Sequence, residues 1–237
     1  MSRRVLSYLF FEVCVFAFVP ALVRGAIVSD FSTGNDGWKV VSFENLTTDN
    51  FSIKATYTPD FHSSGGNPGG FISTTDQDNG DLTFSAPDKF LGNVSGATGL
   101  SYDLIYPVGD INYQPTDVIL MGNGETLLFK SNPDIVPGPS WTGVNLDFVP
   151  SAEWHVGTSS GALATATDFS NVLGHLTGLF IRGEFTTGVV ETPGLDNVSL
   201  EGVSAPVPEP HSMAIVVLAG VTVVMFQRVA RNRYARA

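Results

Sequence analysis

Carboxylates and amides are concentrated in one short stretch, where the chain reads Asp76-Gln77-Asp78-Asn79-Gly80-Asp81. Calcium takes six to eight oxygen ligands, and a loop of this composition could supply roughly three or four of them. The spacing is not that of an EF-hand, because the glycine comes one position early and Pro87 stands where the bidentate glutamate belongs. Asp76, Asp78 and Asp81 are therefore candidate metal ligands, and a solvated turn between two strands is the competing interpretation.

The tryptophans are the residues best suited to contact sugars, because an aromatic ring can stack on the apolar face of a saccharide. There are three of them, Trp38, Trp141 and Trp154. The alternative for each is a place in the core, where a tryptophan buries a large area. We predict glycan contacts at Trp141 and Trp154.

Motifs for other chemistry are missing from the sequence. It contains no Gly-x-Ser-x-Gly elbow, phosphate loop or dinucleotide fingerprint. The four histidines, at positions 62, 155, 175 and 211, lack the close pairing of a zinc-binding helix. Two suitably spaced carboxylates would suffice for a glycosidase, so hydrolysis stays open as an alternative. Our main prediction is that the protein is not an enzyme.

The charge balance is strongly acidic, with 12 lysines and arginines against 23 aspartates and glutamates. Seven of the basic residues lie before position 26 or after position 208, and only two of the acidic ones do, so the body carries a charge of −16. Nucleic acids and anionic lipids are recognised through lysine and arginine, so this balance argues against both as partners. The only cysteine is Cys14, so the body has no disulfide and no thiolate nucleophile.

Both ends of the chain have the composition of targeting segments. Arg3 and Arg4 precede an apolar stretch from 5 to 23, and the small residues Gly25 and Ala26 follow it. This arrangement predicts a signal peptide over residues 1–25, and a permanent N-terminal membrane helix is the competing interpretation. At the other end, residues 211–227 form an uncharged, largely apolar run, with arginines behind it. We predict a single transmembrane helix over this run and a cytoplasmic tail over residues 228–237, and a buried core helix is the alternative for the run.

Pro208, Glu209 and Pro210 stand directly before the hydrophobic run, and Arg228, Arg231 and Arg233 follow it. This order resembles the PEP-CTERM sorting signal of Gram-negative bacteria. The resemblance implies export through the inner membrane, recognition of the Pro-Glu-Pro motif by an exosortase, and retention by the arginines. The extended, proline-stiffened segment 204–210 would present the motif just outside the lipid.

Between the two ends, residues 26–203 are predicted to form one all-β domain. Short apolar or alternating runs are separated by glycine, proline, asparagine and aspartate, which is typical of a sandwich or barrel. These runs predict strands at 27–31, 38–43, 51–57, 70–73, 81–85, 100–106, 118–121, 126–130, 143–148, 179–186 and 195–203. A hairpin is predicted around Gly122-Asn123-Gly124, because these residues accept positive φ. One helix is predicted after Asp168 as its cap, with Phe169, Val172, Leu173 and Leu176 on one face.

A succession of motifs resembles the laminin B (laminin IV type A) domain over most of residues 31–201. The motifs are at 67–72 (Asn-Pro-Gly-Gly-Phe-Ile), 84–93, 100–104 (Leu-Ser-Tyr-Asp-Leu), 117–124, 172–185 and 195–200 (Leu-Asp-Asn-Val-Ser-Leu). The resemblance implies a jelly-roll-like β-sandwich with an adhesive role outside the cell and no catalysis. The cysteine-rich modules that flank this domain in laminins are missing here, so a laminin-like network does not follow.

A second pair of candidate metal ligands comes from the expected closeness of the two ends of such a sandwich. Asp30 lies near the first predicted strand and Asp196 near the last, and a structural calcium could hold them together. This expectation is an analogy from the fold. A turn or a strand-edge cap at Asp196 and Asn197 is the alternative. No other cofactor is predicted.

The sequence thus predicts an exported, non-catalytic β-sandwich at the cell surface or in the extracellular matrix, associated with exopolysaccharide. Its predicted partners are the exosortase, the membrane during export, and a polysaccharide or matrix protein. The first alternative is a carbohydrate-binding module for a specific glycan. The second is a glycoside hydrolase or lyase.

Overall fold

The computed structural model describes residues 24–107 and 111–204. In this part of the chain there are thirteen strands and one α-helix. The elements in chain order are β1 Arg24–Ser29, β2 Lys39–Asn45, β3 Asn50–Tyr57, β4 Asp60–Gly66, β5 Gly69–Ser73, β6 Asp81–Ser85, β7 Gly99–Ile105, β8 Val118–Gly122, β9 Glu125–Phe129, β10 Thr142–Asp147, β11 Trp154–Val156, α1 Ala166–Gly174, β12 Leu176–Arg182 and β13 Gly194–Ser204.

The strands form two antiparallel sheets. The six-stranded sheet has the order β10-β7-β13-β5-β4, and β1 also pairs with β13. Two strands, β5 and β1, lie on the same side of the long strand β13. Residues 194–195 of β13 pair with β5, and residues 198–204 pair with β1. The seven-stranded sheet has the order β11-β9-β8-β12-β6-β2-β3. The first and last described strands are therefore neighbours, as the sequence predicted.

Alternation along the strands divides each sheet into an inner and an outer face. In β7, Leu100, Tyr102 and Leu104 are buried in the main core, while Ser101, Asp103 and Ile105 are only partly buried. Successive side chains of a strand point to opposite faces, so the second set lies on the outer face of the six-stranded sheet. This alternation determines which polar residues are available for binding.

Two tryptophans anchor the core between the sheets. Trp154 is 1% exposed and contacts the rings of Phe129, Phe148 and Phe169, which joins β9, the end of β10 and α1. Trp38 is fully buried between Phe31 and Phe90, and its indole nitrogen donates to the Ser29 hydroxyl at 2.8 Å. Each indole N–H has a partner, as burial of this polar group requires.

A second apolar cluster covers the outer face of the seven-stranded sheet. It contains six buried side chains, with Phe51 and Met121 at its margin: Val41, Phe43, Leu46, Ile119, Leu128 and Phe180. Leu46 comes from a 3-10 turn, Leu46–Thr48, which ends at Asp49. The Asp49 carboxylate accepts hydrogen bonds from the backbone N and hydroxyl of Ser159, so two distant loops meet beside this cluster. The outer face of this sheet is therefore largely filled by apolar side chains.

Among the described residues, one ion pair is buried in the seven-stranded sheet, where β8 begins and β12 ends. Arg182 Nη2 lies 2.9 Å from Asp117 Oδ1, and the two side chains are 1% and 3% exposed. Asp117 also accepts from the backbone N and hydroxyl of Ser131, and Arg182 donates to the Ile135 carbonyl at 2.7 Å. These hydrogen bonds compensate the removal of both charges from water.

Of the two predicted local elements, the hairpin is confirmed and the helix has a different cap and end. The hairpin is confirmed, because Gly122 pairs with Glu125 across a turn in which Asn123 and Gly124 have φ of 49° and 76°. The helix cap was wrong, since Thr165 is the N-cap and Asp168 is its capping-box partner three residues later. Leu176 is also outside the helix and begins β12. None of the helices within residues 24–107 and 111–204 has the length and apolar character needed to cross a membrane.

Candidate functional site

The outer face of the six-stranded sheet is polar and open, in contrast to that of the other sheet. We call it the polar face and define it by alternate residues of three neighbouring strands: Ser101, Asp103 and Ile105 of β7, Gly143, Asn145 and Asp147 of β10, and Ser199 and Glu201 of β13. Register brings them into rows, because Ser101 pairs with both Asn145 and Ser199. Three strands thus present hydroxyl, amide and carboxylate groups on one side of the sheet.

The tip of the β4–β5 hairpin, residues 65–69, is bound to this face at several points. The backbone N of Asn67 donates to Asp196 Oδ2 at 2.6 Å, and its side-chain amide donates to Asp103 Oδ2 at 3.1 Å. Asn197 donates to the same Asp103 oxygen at 2.8 Å and also to the Asn67 carbonyl. Two amides therefore fix the carboxylate of Asp103 in the middle of the face.

An aromatic cluster of His62, Phe71 and Trp141 lies at the Ile105 end of the polar face. The rings of His62 and Phe71 are stacked with centroids 4.4 Å apart, and Trp141 meets Phe71 edge-on at 5.3 Å. Trp141 Nε1 donates to the Gly65 carbonyl at 2.9 Å, so the hairpin tip orients the indole. Gly194 lies beneath Phe71, where an added Cβ would come within 2.7 Å of Ile105.

The two tryptophans predicted to contact glycans have different environments. Trp141 is partly exposed in the aromatic cluster, and His62 beside it is exposed. Trp154 is a core residue whose ring contacts three phenylalanines and whose nitrogen donates to the Asp147 carbonyl at 3.0 Å. A buried ring cannot stack on a sugar. Trp154 is therefore a core residue and not a glycan contact, and only Trp141 stays a candidate contact.

A shallow groove of about 190 Å³ continues the polar face away from the aromatic cluster. Its polar lining comprises Thr98, Ser101, Asn145, Asp147 and Glu201. Pockets that enclose a drug-sized molecule are usually larger, about 300–1,000 Å³. The groove is therefore better suited to part of a polymer that lies along the sheet than to an enclosed small molecule.

An acidic pocket of about 340 Å³ lies elsewhere, between the β5–β6 loop and the loop that follows β12. Asp76, Asp78 and Asp81 line it from the first loop, and Glu184 lines it from the second. The exposed Val189 and Val190 stand at its rim. Behind it, the fully buried Glu191 accepts from the backbone N of Phe185 at 2.9 Å and from that of Thr186. Neither glutamate was recognised from the sequence, since both are about 100 residues from the aspartates and lack a local motif.

Burial and mutual repulsion shift the acidity of this pocket. Burial, followed by the charges of Glu191 and Asp76, raises the pKa of Glu184 to about 8. Burial raises the pKa of Glu191 to about 7, although its hydrogen bonds to backbone N–H groups oppose the shift. Burial also favours a higher pKa at Asp78, but hydrogen bonds from Tyr57, Ser42 and Gly80 outweigh it and lower the pKa. Protonated and ionised carboxyl groups thus share one pocket.

The residues predicted as calcium ligands fall into two groups. Asp76, Asp78 and Asp81 line the acidic pocket, but Asp78 is engaged by Tyr57 at 2.5 Å and by Ser42 at 2.8 Å. In the described ranges, no three carboxylate, imidazole or thiolate side chains are grouped as a metal ion would require. A calcium ion would therefore also need backbone carbonyl oxygens.

The second predicted pair, Asp30 and Asp196, lies at the junction of β1 and β13. Asp196 is fully buried, and its two oxygens accept from the backbone N of Asn67 and of Asn197 at 2.6 and 2.7 Å. Burial raises the pKa of Asp196, and the nearby charges of Asp103 and Asp30 add to the shift. The structure thus brings the predicted pair into electrostatic contact, and calcium at this junction stays a prediction.

The targeting segments lie outside the described residues. This applies to the signal peptide 1–25 except for its last two residues, to Pro208, Glu209 and Pro210, to the run 211–227, and to Arg228, Arg231 and Arg233. Their roles stay predictions.

Two antiparallel sheets around an aromatic core, with one polar outer face and one short helix, define the described part of the chain as an all-β sandwich. The family model for laminin B (Domain IV) matches residues 83–216, and the chain belongs to this family, whose domain is structural and non-catalytic. This confirms the resemblance seen in the sequence motifs.

Solved structures support the same architecture. The L4b domain of human laminin alpha-2 is 14% identical, with a TM-score of 0.60 over 78% of this chain and 100% of that one. At this identity the likeness establishes the fold alone. A family 11 carbohydrate-binding module from Clostridium thermocellum, in complex with a mixed-linked tetrasaccharide, is 18% identical over 78% of this chain and 92% of that one. Its TM-score of 0.39 is too low to support an argument. Comparison with curated proteins gives no match.

Proposed function

We propose that this protein is an exported, non-catalytic adhesion domain that binds polysaccharide of an extracellular matrix through the polar face. The observation that carries the proposal is the continuity of this face. The groove extends from Asp147 and Glu201 to Ser101 and Asn145. Beyond it the outward-facing residues of β7 continue through Asp103 to Ile105, beside the partly exposed rings of Phe71 and Trp141. Sugars offer both hydroxyl groups and apolar ring faces, so such a surface can engage them in both ways.

The seven-stranded sheet is a poorer candidate for this role. Its outer face is filled by the second apolar cluster, whose six central side chains are at most 9% exposed. A polysaccharide laid there would find few hydrogen-bonding groups, and the two loops joined by Asp49 and Ser159 stand beside it. The polar face is therefore the better surface for a hydrated polymer.

Affinity electrophoresis of the purified protein in gels that contain single soluble polysaccharides tests the proposal. We expect retardation by at least one polysaccharide and a several-fold weaker retardation for Trp141→Ala. Ile53→Ala is the matched control, because Ile53 is an exposed apolar residue of the other sheet. A folded protein that no polysaccharide retards, or equal retardation of Trp141→Ala and the unchanged protein, contradicts the assignment of this face.

The acidic pocket favours glycoside hydrolysis as the alternative function. A carboxyl group with a raised pKa beside an ionised carboxylate is the arrangement of an acid and a nucleophile or base, here Glu184 and Asp78. The test is release of reducing ends from the same polysaccharides by the unchanged protein and by Glu184→Gln. Release that is lost in Glu184→Gln would establish the alternative, and no release would remove it.

We further propose that the two ends of the chain direct export and sorting. In this proposal the segment 1–25 is removed on export, and an exosortase acts at Pro208, Glu209 and Pro210 while the run 211–227 holds the protein in the inner membrane. The composition of these segments supports the proposal. The intact mass of the mature protein from its native host reports both cleavage sites and any attached group. A mass equal to that of all 237 residues would overturn it.

A further inference from the structure

Among the side chains that the structure describes, those of the polar face include three carboxylates and no lysine or arginine. Asp103, Asp147 and Glu201 belong to it, and the last two are exposed. The basic side chains that the structure describes are elsewhere. Lys39, Lys54, Lys130 and Arg182 belong to the seven-stranded sheet or follow one of its strands, and Lys89 is bound to Asp36 and to the Val28 carbonyl. The acidic and basic side chains described on this face are therefore carboxylates alone, beside its neutral hydroxyl and amide groups.

The geometry of the groove places two of these carboxylates on either side of a glycine. Gly99 of β7 pairs with Asp147 of β10 on one side and with Glu201 of β13 on the other. Neighbouring strands are about 4.8 Å apart, so the backbones of the two acidic residues are about 10 Å apart. The Asp147 carboxylate leans toward Gly99, since a Cβ added there would lie 3.6 Å from Asp147 Oδ1 and 2.7 Å from the Leu146 carbonyl oxygen. The result is a notch with a backbone floor and a carboxylate on each wall.

Hydrogen bonds hold one wall of the notch in place. The hydroxyl groups of Ser101 and Ser199 donate to the same oxygen of Glu201, at 3.4 and 3.3 Å. Glu201 is thereby oriented along the row of polar residues that leads to Asp103 and the aromatic cluster. A polymer bound to the rings at one end would pass this notch at the other.

We propose, as a refinement of the polysaccharide-binding function above, that the polar face takes polysaccharides with free amino groups and rejects acidic ones. An ammonium group fits between Asp147 and Glu201 as a donor of up to three hydrogen bonds and as a counter-charge. An N-acetyl group in the same position is neutral and bulkier. A uronic acid carboxylate would face two like charges, which is unfavourable.

The test compares three ligands on the full-length protein: oligomers of glucosamine, the same oligomers fully N-acetylated, and oligomers of a uronic acid. Because an exposed ion pair contributes modestly, we expect each carboxylate to improve binding about two- to five-fold. The glucosamine oligomer should therefore bind about 4- to 25-fold more tightly than its acetylated form at low salt, less so at high salt, and the uronic acid oligomer should not bind.

Two double variants separate the notch from the general acidity of the protein. Asp147→Asn with Glu201→Gln should reduce the preference for free amino groups to within about twofold. Glu44→Gln with Asp88→Asn removes the same charge from exposed positions of the other sheet and a 3-10 turn, and should retain the preference. All four residues are exposed, so unchanged melting curves would verify that both variants are folded.

The outcomes separate this inference from the function on which it rests. Equal or tighter binding of the acetylated or the acidic oligomer would overturn the preference while polysaccharide binding stands. Loss of the preference in both double variants would also overturn it, because long-range attraction would then explain the binding. Failure of every oligomer and every neutral polysaccharide to bind would remove the proposed function itself.

Discussion

Glu184 forms part of the wall of the acidic pocket and has a pKa of about 8, against a usual value of 4.5. It is only 7% exposed, and its strongest described hydrogen bond is a long one of 3.4 Å from the backbone N of Leu82. The folded protein therefore keeps the Glu184 proton up to about pH 8, whereas the unfolded chain loses it near pH 4.5. Stability should fall as the pH rises between these two values and be constant above them.

The magnitude follows from the same shift. A difference of about 3.5 in pKa corresponds to at most about 5 kcal/mol in the free energy of unfolding. One physical effect reduces the gain from removing the charge, because water reaches the mouth of the pocket and screens it. Relief of the repulsion between Glu184 and Glu191 is already part of the pKa shift of Glu184 and does not reduce the gain. We therefore expect Glu184→Gln to add about 2 kcal/mol above pH 8.

Thermal unfolding of both proteins at about pH 4.5 and about pH 8.5 measures this effect. At the lower pH the side chain at position 184 is neutral in both folded proteins, so the two melting temperatures should coincide. At the upper pH Glu184→Gln should melt about 4–8 °C higher than the unchanged protein. Glu44→Gln is the matched control, because Glu44 is an exposed carboxylate of β2 and should show no difference at either pH. An equal change at both pH values would show a packing effect, and no gain at the upper pH would refute the reasoning.

Three further predictions concern the ion pair, the helix and the metal. Asp117→Asn should lower the free energy of unfolding by about 3–5 kcal/mol, because it leaves the Arg182 guanidinium buried without a counter-charge; Asp36→Asn, at the exposed pair with Lys89, should cost at most about 1 kcal/mol. Denaturant titration measures the free energy of unfolding of the two variants, and a similar loss in both would argue against burial as the cause. Thr165→Ala should cost about 1 kcal/mol in the same assay and Thr165→Ser much less, since the capping box needs a hydroxyl; equal losses would show that the cap is unimportant. If calcium binds at Asp30 and Asp196 or at Asp76, Asp78 and Asp81, millimolar calcium should raise the melting temperature and a chelator should reverse the rise; no response to either would remove both sites.

Local patterns predicted most of the strands, because β-branched and aromatic runs between turn residues are a strong local signal. β4 was missed because its sequence, Asp-Phe-His-Ser-Ser-Gly-Gly, has neither alternation nor β-branched residues. It is held instead by pairing with β5 and by the hairpin tip that contacts Asp103 and Asp196. The three-residue β11 was missed for a similar reason, since only Trp154 in it is well buried. Both strands depend on tertiary contacts that a single sequence does not display.

The candidate sites likewise include features that the sequence could predict and features that depend on the fold. The proximity of Asp30 and Asp196 and the loop at Asp76 could be anticipated, because each follows from chain order or local composition. The meeting of that loop with Glu184 could not, because it depends on the path of the chain after β12. A usable signal for the polar face was present in β7, where Ser101 and Asp103 alternate with Leu100 and Tyr102. Alternation of this kind identifies a strand with one solvated side, but the neighbours of that side become known only from the strand order.

The uneven distribution of charge connects the stability of this domain with its proposed function. The domain has no disulfide; its aromatic core joins the two sheets, and the buried Arg182–Asp117 pair lies within the seven-stranded sheet. The surface is acidic, and a net charge far from zero helps to keep a protein soluble. The carboxylates on the polar face lie beside hydroxyl groups and aromatic rings, whereas those in the acidic pocket are partly protonated and buried. In the pocket the ionised Asp78 is already engaged by Tyr57 and Ser42, and Glu184, with a pKa of about 8, keeps its proton at neutral pH. We therefore place recognition on the six-stranded sheet and expect the acidic pocket to lower the stability of the domain as the pH rises.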